Sequence, residues 1–161
     1  MSIFWVLLFL CGCKQEKKIT INETTEPESF SFQNYGKLVE LDAQVIPIVE
    51  GWSEFMIMED SFSVLKRATN SEDLKLAIDD LIEKEKTLAR GDYPEVFDKF
   101  QIKARQQVFS TFLYKMQGEL LDNRKIDQAM KELIVAYNAY KQQFNIIYRN
   151  NLDAKLILDE K

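Results

Sequence analysis

The sequence predicts an all-α fold: a four-helix bundle whose helices run up, down, up and down, with a kinked first helix. Apolar side chains recur at intervals of three and four residues over most of residues 37–149, which is the period of an amphipathic α-helix. The 161 residues include only five glycines and three prolines, so few positions interrupt helices. Cap and turn residues divide the periodic stretch into four segments with short connections, the pattern of an up-down bundle.

The first residues have the composition of an export signal. Residues 3–10 are wholly apolar, and a charged stretch begins at Lys14. An apolar run of about 8 to 12 residues is too short to span a bilayer as a helix, which needs about 20, but it suits the hydrophobic region of a signal peptide. A buried first helix is the alternative interpretation of residues 3–13.

The segment Leu10-Cys11-Gly12-Cys13 resembles the lipobox of bacterial lipoproteins, in which a leucine and two small residues precede a cysteine. The resemblance implies cleavage between Gly12 and Cys13, a diacylglycerol thioether on Cys13 and a fatty acyl group, such as palmitate, on its amino terminus. Two or three acyl chains suffice for stable anchoring. We therefore expect a protein anchored in the bacterial cell envelope, at the periplasmic face or the cell surface, in either membrane.

The expected domain organisation is a signal peptide at residues 1–12, a lipidated cysteine with a flexible tether at 13–35, and a helical bundle at 36–161. The tether mixes charged and hydroxyl side chains without a sustained period. The aromatic residues Phe30, Phe32 and Tyr35 near its end are expected to fasten it to the bundle, with a partner-binding strand as the alternative.

The first helix is predicted over residues 37–68. Pro47 removes a backbone donor and crowds the preceding turn, and Gly51 follows one turn later. These residues predict a kink or break within residues 47–58.

The other three helices are placed by their end signals. Asn70, within Thr69-Asn70-Ser71, predicts the cap of a second helix that runs to Ala89 and stops at a left-handed Gly91. Pro94 predicts the first position of a third helix. The fourth is predicted from Ile126 to Arg149. The predicted inner face of the third helix is Phe97, Gln101, Ala104, Val108, Phe112 and Met116 or Leu120, flanked by Phe100, Phe109, Leu113 and Tyr114. The predicted inner face of the fourth helix is Ile126, Met130, Leu133, Tyr137, Tyr140, Phe144 and Ile147.

Composition excludes several chemistries. The chain has no histidine, and its two cysteines are Cys11 and Cys13. Histidine-based di-iron, zinc and covalent haem sites cannot form, and neither can Ser-His-Asp or Cys-His nucleophilic centres. The net charge of −5 disfavours nucleic acid as a partner. We expect no cofactor, no metal and no enzymatic activity.

The predicted break in the first helix is the candidate ligand or partner site. Glu50 and Glu54 stand one turn apart there and could hold a hard cation or exchange protons, although a solvated face is the commoner role of such carboxylates. The aromatic and methionine side chains at the break could line an adaptable apolar pocket, although core packing is again commoner. These side chains are Trp52, Phe55, Met56 and Met58.

Two functions are compatible with these features. The first is a non-enzymatic, lipid-anchored protein that binds another envelope component through its bundle. The acidic, helix-rich exterior favours a protein over anionic lipid or peptidoglycan as that component. The second is a carrier or sensor of a small apolar ligand at residues 47–58. Whether Trp52 is fully packed or lines a cavity distinguishes the two.

Overall fold

The computed structural model describes residues 30–159, with side chains described through Leu152, and over these residues the protein is helical and has no strands. The predicted all-α helical bundle is confirmed. The helices are α1 (Ile46–Glu50), α2 (Ser53–Leu65), α3 (Ser71–Arg90), α4 (Phe100–Leu121) and α5 (Asp127–Asp159), preceded by one 3₁₀ turn at Phe32–Tyr35.

Successive long helices pack as neighbours, α2 on α3, α3 on α4 and α4 on α5. Large aromatic side chains join α5 to α2 and close the bundle. Phe62 of α2 stacks on Tyr137 of α5 with ring centroids 3.9 Å apart. Phe55 meets Phe144 edge to face at 5.3 Å. These rings fill the space between the two helices with apolar surface.

The predicted first helix begins later than expected. Residues 37–42 are not helical, and the first α-helical turn is α1, with Pro47 in its opening positions. The predicted break is confirmed, because Trp52 adopts an extended conformation (φ −102°, ψ 92°) between α1 and α2. The helical start at residue 37 is wrong because side chains of α5, rather than a helical ladder, satisfy the backbone groups of this segment.

Residues 30–45, termed the strap, lie along α5 and lead into α1. The side chain of Asn138 accepts a hydrogen bond from Val39 N–H at 2.8 Å and donates one to Lys37 C=O at 3.0 Å. Asn145 does the same for Asp42 N–H at 2.9 Å and Glu40 C=O at 3.0 Å. The four bonds hold residues 37–42 of the strap against α5 in a non-helical conformation.

Aromatic side chains fasten the beginning of the strap to the bundle. Phe30 and Phe32 are both more than 90% buried, and Phe32 meets Phe62 edge to face at 6.0 Å. The backbone N–H of Phe30 also donates to Thr69 C=O at 2.9 Å. The expected fastening of the tether by its aromatic residues is confirmed.

The predicted cap of α3 is also confirmed, since the side chain of Asn70 accepts a hydrogen bond from Asp73 N–H at 2.9 Å. The left-handed conformation expected at Gly91 is wrong, because its φ is −80°. Its N–H instead closes the helix by bonding to Thr87 and Leu88 carbonyls. Gly91 also lets the end of α3 lie close to the side chain of Glu54 on α2, since a Cβ at this position would stand 3.3 Å from Cγ of Glu54.

The third predicted helix differs in its start and in its buried face. Pro94 begins an isolated turn, in which its carbonyl accepts from Phe97 and Asp98 N–H, and α4 starts only at Phe100. Phe97 is buried as predicted, but Val108 is exposed. The face of α4 that packs into the bundle is Ile102, Gln106, Phe109, Leu113, Met116 and Leu120.

The face predicted for the last helix is confirmed by its central residues. Met130, Leu133, Tyr137, Tyr140 and Phe144 are all fully buried. The helix does not end at Arg149 as predicted but continues to Asp159. Among the described residues, no helix combines the length and apolar character needed to cross a bilayer.

Candidate binding surfaces

The proposed lipidation and cleavage residues, Cys13 and Gly12, lie outside the described residues. The two carboxylates proposed from the sequence do lie within them. Glu50 is exposed at the end of α1. Glu54 is half-buried and accepts a hydrogen bond from the hydroxyl of neighbouring Ser53 at 2.9 Å. The described residues contain no cluster of three or more acidic side chains placed to hold a metal ion.

The apolar side chains at the break belong to the core. Trp52, Phe55 and Met58 are each at least 97% buried, and Met56 is half-buried against them. The indole of Trp52 contacts the rings of Phe55 at 5.4 Å, Tyr93 at 4.9 Å and Phe144 at 6.1 Å. Trp52 is therefore packed on three sides by rings, the arrangement of a core side chain.

A shallow apolar groove of about 310 Å³ runs between α4 and α5. Val108 and Phe112 line it from α4, and Val135, Ala136 and Ala139 line it from α5. Val135 is 68% exposed and Val108 42% exposed. These residues recur at three- and four-residue intervals on antiparallel helices, so the groove follows the helix axes.

The rim of this groove carries charges of both signs, of which only some are neutralised. Glu132 is held by Lys115 and by the amide of Gln128, and this pairing lowers the pKa of Glu132. Arg105 and Lys131, also on the rim, are exposed and make no ion pair within the described part of the chain. The free charge beside the groove is therefore positive, although the protein as a whole is acidic.

A polar network crosses the interior between α3 and α4. Glu85 is 97% buried and accepts hydrogen bonds from the amide of Gln106 at 3.1 Å and the hydroxyl of Ser110 at 2.9 Å. The amide oxygen of Gln106 in turn accepts from the hydroxyls of Tyr93 and Tyr140. Hydrophobic periodicity could not find this network, because its central members are polar residues at core positions.

Beside this network lies a cleft of about 370 Å³. Glu85, Gln106 and Ser110 line its polar part, and Tyr93 and Lys103 stand on the same wall. The ammonium group of Lys103 lies 4.9 Å from the ring centroid of Tyr93. Burial is the main cause of a raised pKa at Tyr93, so its hydroxyl is a hydrogen-bond donor over the physiological range. The sequence-based search did not select any of these residues.

An ion pair links α2 and α5 in the seam between them. The ammonium group of Lys141, which is 91% buried, lies 3.4 Å from Oε2 of Glu59. Desolvation raises the pKa of Glu59 despite this cation.

Three buried polar atoms make no hydrogen bond within the described part of the chain, namely Oε1 of Glu59, Nε1 of Trp52 and the hydroxyl of Tyr137.

The described fold is an all-α helical bundle, and its α4–α5 groove and α3–α4 cleft lie on different helix pairs. Comparison with protein-family models, with curated proteins and with solved structures finds no match to this chain.

Proposed function

We propose that this protein is a lipid-anchored, non-enzymatic component of the bacterial cell envelope that binds a partner protein through the α4–α5 groove. The anchoring part of the proposal rests on the lipobox resemblance at Cys13. The binding part rests on one observation, the exposed apolar groove between α4 and α5 with free cations on its rim.

The shape of the groove favours a helix as its occupant. Its lining extends from Gln128 to Ala139 on α5, about 16 Å at 1.5 Å per residue, or three helical turns. A helix fits between two antiparallel helices by packing its side-chain ridges into the groove. An amphipathic helix binds such grooves through apolar residues on one face.

The rim charges favour an acidic partner. Arg105 and Lys131 have no acidic neighbour that neutralises them in the described part of the chain, so carboxylates beside the partner's apolar face would find cations there. Complementary charges of this kind steer association and fix register more than they add affinity. The proposed partner is therefore an envelope protein that presents an acidic amphipathic helix.

The test is site-specific photo-crosslinking of the full-length protein in its native cells. A photoreactive amino acid at Val108 should give one adduct of defined mass, which mass spectrometry identifies as a second protein with an acidic amphipathic helix. The same amino acid at Glu83, which is exposed on α3, is the control and should not give that adduct. The substitution Val135→Asp should abolish the Val108 adduct without unfolding the protein, because Val135 is 68% exposed.

Two results would contradict the proposal. An adduct that forms equally from Val108 and Glu83 would show proximity without a defined interface. An adduct of this chain with a second copy of itself would replace the proposed partner by self-association.

The carrier of a small apolar ligand at residues 47–58 is the second candidate. It needs Trp52 to line a cavity, whereas the indole is 97% buried among three aromatic rings. It therefore has less support than the binding of a partner protein. Native mass spectrometry would support the carrier if an added mass disappeared in Trp52→Ala.

A further inference from the structure

The cleft between the C-terminal half of α3 and the N-terminal half of α4 has the dimensions of a small-molecule site. Its volume of about 370 Å³ lies in the range of about 300–1,000 Å³ that such sites occupy. Tyr93 and Gln106 line it and hydrogen-bond to each other, so part of its wall is already organised. It is separate from the α4–α5 groove, because the α4 residues that line that groove lie on the opposite side of the helix.

The carboxylate of Glu85 retains unused capacity to accept hydrogen bonds. It receives one bond from Gln106 and one from Ser110, whereas the two oxygens of a carboxylate offer about four acceptor positions. No lysine or arginine forms an ion pair with Glu85 within the described residues. A buried carboxylate without a cation is costly, so a cationic donor that enters the cleft would gain a strong, charge-assisted hydrogen bond.

The cations at the rim of the cleft differ in how far they are neutralised. Lys86 lies 2.7 Å from Oε1 of Glu83, and Lys103 forms an ion pair with Asp98. Arg90, which also lines the cleft, makes no ion pair in the part of the chain that the structure describes. The cleft therefore combines a buried carboxylate that forms no ion pair with a guanidinium at its edge that forms none either within the described residues.

We propose that this cleft binds a small zwitterion, an amino acid or a short peptide, whose ammonium group donates to Glu85 and whose carboxylate binds Arg90. Arg90 follows Glu85 by five residues, about 7.5 Å along the axis of α3, and its long side chain covers the rest of the distance to a ligand carboxylate. The planar guanidinium suits a carboxylate because it binds both oxygens at once. This site adds to the docking of a partner protein and does not depend on it.

Calorimetric titration of the full-length protein in detergent tests the charges that the ligand needs. The probe is the dipeptide alanyl-alanine, for which we expect a Kd below about 1 mM. Acetyl-alanyl-alanine lacks the ammonium group and should not bind. Alanyl-alanine amide lacks the carboxylate and should bind about tenfold more weakly. No heat from alanyl-alanine at millimolar concentration, or equal binding of the acetylated peptide, would overturn the proposal.

Matched variants test the two residues. Glu85→Gln should weaken the binding of alanyl-alanine about ten- to a hundredfold, since it removes the charge in a hydrogen bond to a cation. Glu72→Gln removes the same charge from an exposed position at the other end of α3, away from the cleft lining, and should leave binding unchanged. Arg90→Gln should weaken alanyl-alanine and leave the amide unaffected. Because Arg90 is exposed, this variant remains informative even if Glu85→Gln unfolds. Equal loss of both peptides in Arg90→Gln would overturn the assignment of the carboxylate.

Discussion

Asn138 and Asn145, seven residues apart on α5, bind the backbone of the strap at two points that are three residues apart. Seven residues of α-helix rise about 10.5 Å, and three residues of extended chain cover about 10 Å. The rise between the two asparagines therefore matches the length of strap between their two binding points. Each asparagine can bind one C=O of the strap and the N–H two residues later. The strap is thus held through its backbone by groups that belong to the bundle.

Asn145 should contribute more to stability than its small polar side chain suggests. It is 98% buried and makes both of its strap bonds. Replacing it by alanine removes the partners of a part-buried backbone N–H and C=O, which water then reaches only partly, at a cost of about 1–2 kcal/mol each. We expect Asn145→Ala to lower the free energy of unfolding by about 2–4 kcal/mol, measured by urea denaturation.

The control for this experiment is Asn150→Ala, near the exposed C-terminal part of α5, which should change stability by less than about 0.5 kcal/mol. Equal effects of the two substitutions would show that the asparagine bonds do not hold the strap.

Two neighbouring tyrosines should respond in opposite ways to the loss of a hydroxyl. The hydroxyl of Tyr137 is buried and makes no hydrogen bond within the described residues, whereas that of Tyr140 donates to Gln106 at 3.3 Å. We expect Tyr137→Phe to raise the free energy of unfolding by about 1 kcal/mol and Tyr140→Phe to lower it by about 1 kcal/mol. Thermal unfolding of both variants measures the difference, and a loss of stability in both would refute the assignment at Tyr137.

The buried carboxylate of Glu59 should make stability depend on pH. Desolvation raises its pKa in the folded protein above the ordinary value of 4.5, and Lys141 only partly offsets this effect. Above the unfolded pKa the native state then holds more protons than the unfolded state. The stability that Glu59 contributes is therefore complete below the unfolded pKa and is lost as pH rises through the raised folded pKa.

The measurement is the free energy of unfolding of wild type and Glu59→Gln at a series of pH values. The stability of wild type relative to Glu59→Gln should fall as pH rises above 4.5. Asp42→Asn is the control of opposite sign, because the hydrogen bond from Arg149 lowers the pKa of Asp42 below 3.8. The contribution of Asp42 is present above that value and is lost as pH falls through the folded pKa. A pH-independent difference between wild type and Glu59→Gln would contradict the assigned shift.

The proposed lipid anchor predicts a change in cell fractionation when Cys13 is replaced. Cys13 is the thiol that the lipobox resemblance assigns to the lipid, so Cys13→Ala should leave an unprocessed precursor or a protein released from the membrane. Cell fractionation and the mass of the intact protein measure both outcomes. Cys11→Ala is the control, because that residue precedes the proposed cleavage site and should be processed normally. Unchanged membrane association and processing of Cys13→Ala would contradict lipidation there.

Hydrophobic periodicity correctly predicted the parts of the fold in which apolar residues alone determine which helix face is buried. The prediction of the buried face of α5 was correct because apolar residues such as Met130, Tyr137 and Phe144 recur without interruption at helical spacing. The asparagine cap of α3 and the break near Gly51 were correct because both depend on local backbone chemistry. None of these features needs information from a distant part of the chain.

The centre of the buried face of α4 could not be found in this way, although its Phe109, Leu113, Met116 and Leu120 could. The partners of Gln106 are Glu85 on another helix and tyrosines at positions 93 and 140, so a polar residue occupies a core position through contacts distant in sequence. A periodicity count treats such a residue as exposed and rotates the predicted face toward Val108. The cleft beside Glu85 was missed for the same reason.

The sequence by itself determined the helical class and the outline of the helical segments, because composition and local spacing encode both of them. The export signal with its lipobox stays a prediction, since it lies outside the described residues. Only the tertiary structure decided that residues 37–42 are not helical, since their backbone groups bond to side chains of α5 about 100 residues away. It also decided which apolar residues remain outside the core, and so where the groove and the cleft lie. Amphipathic spacing defines a face along one helix, whereas the packing of several helices selects which face is buried.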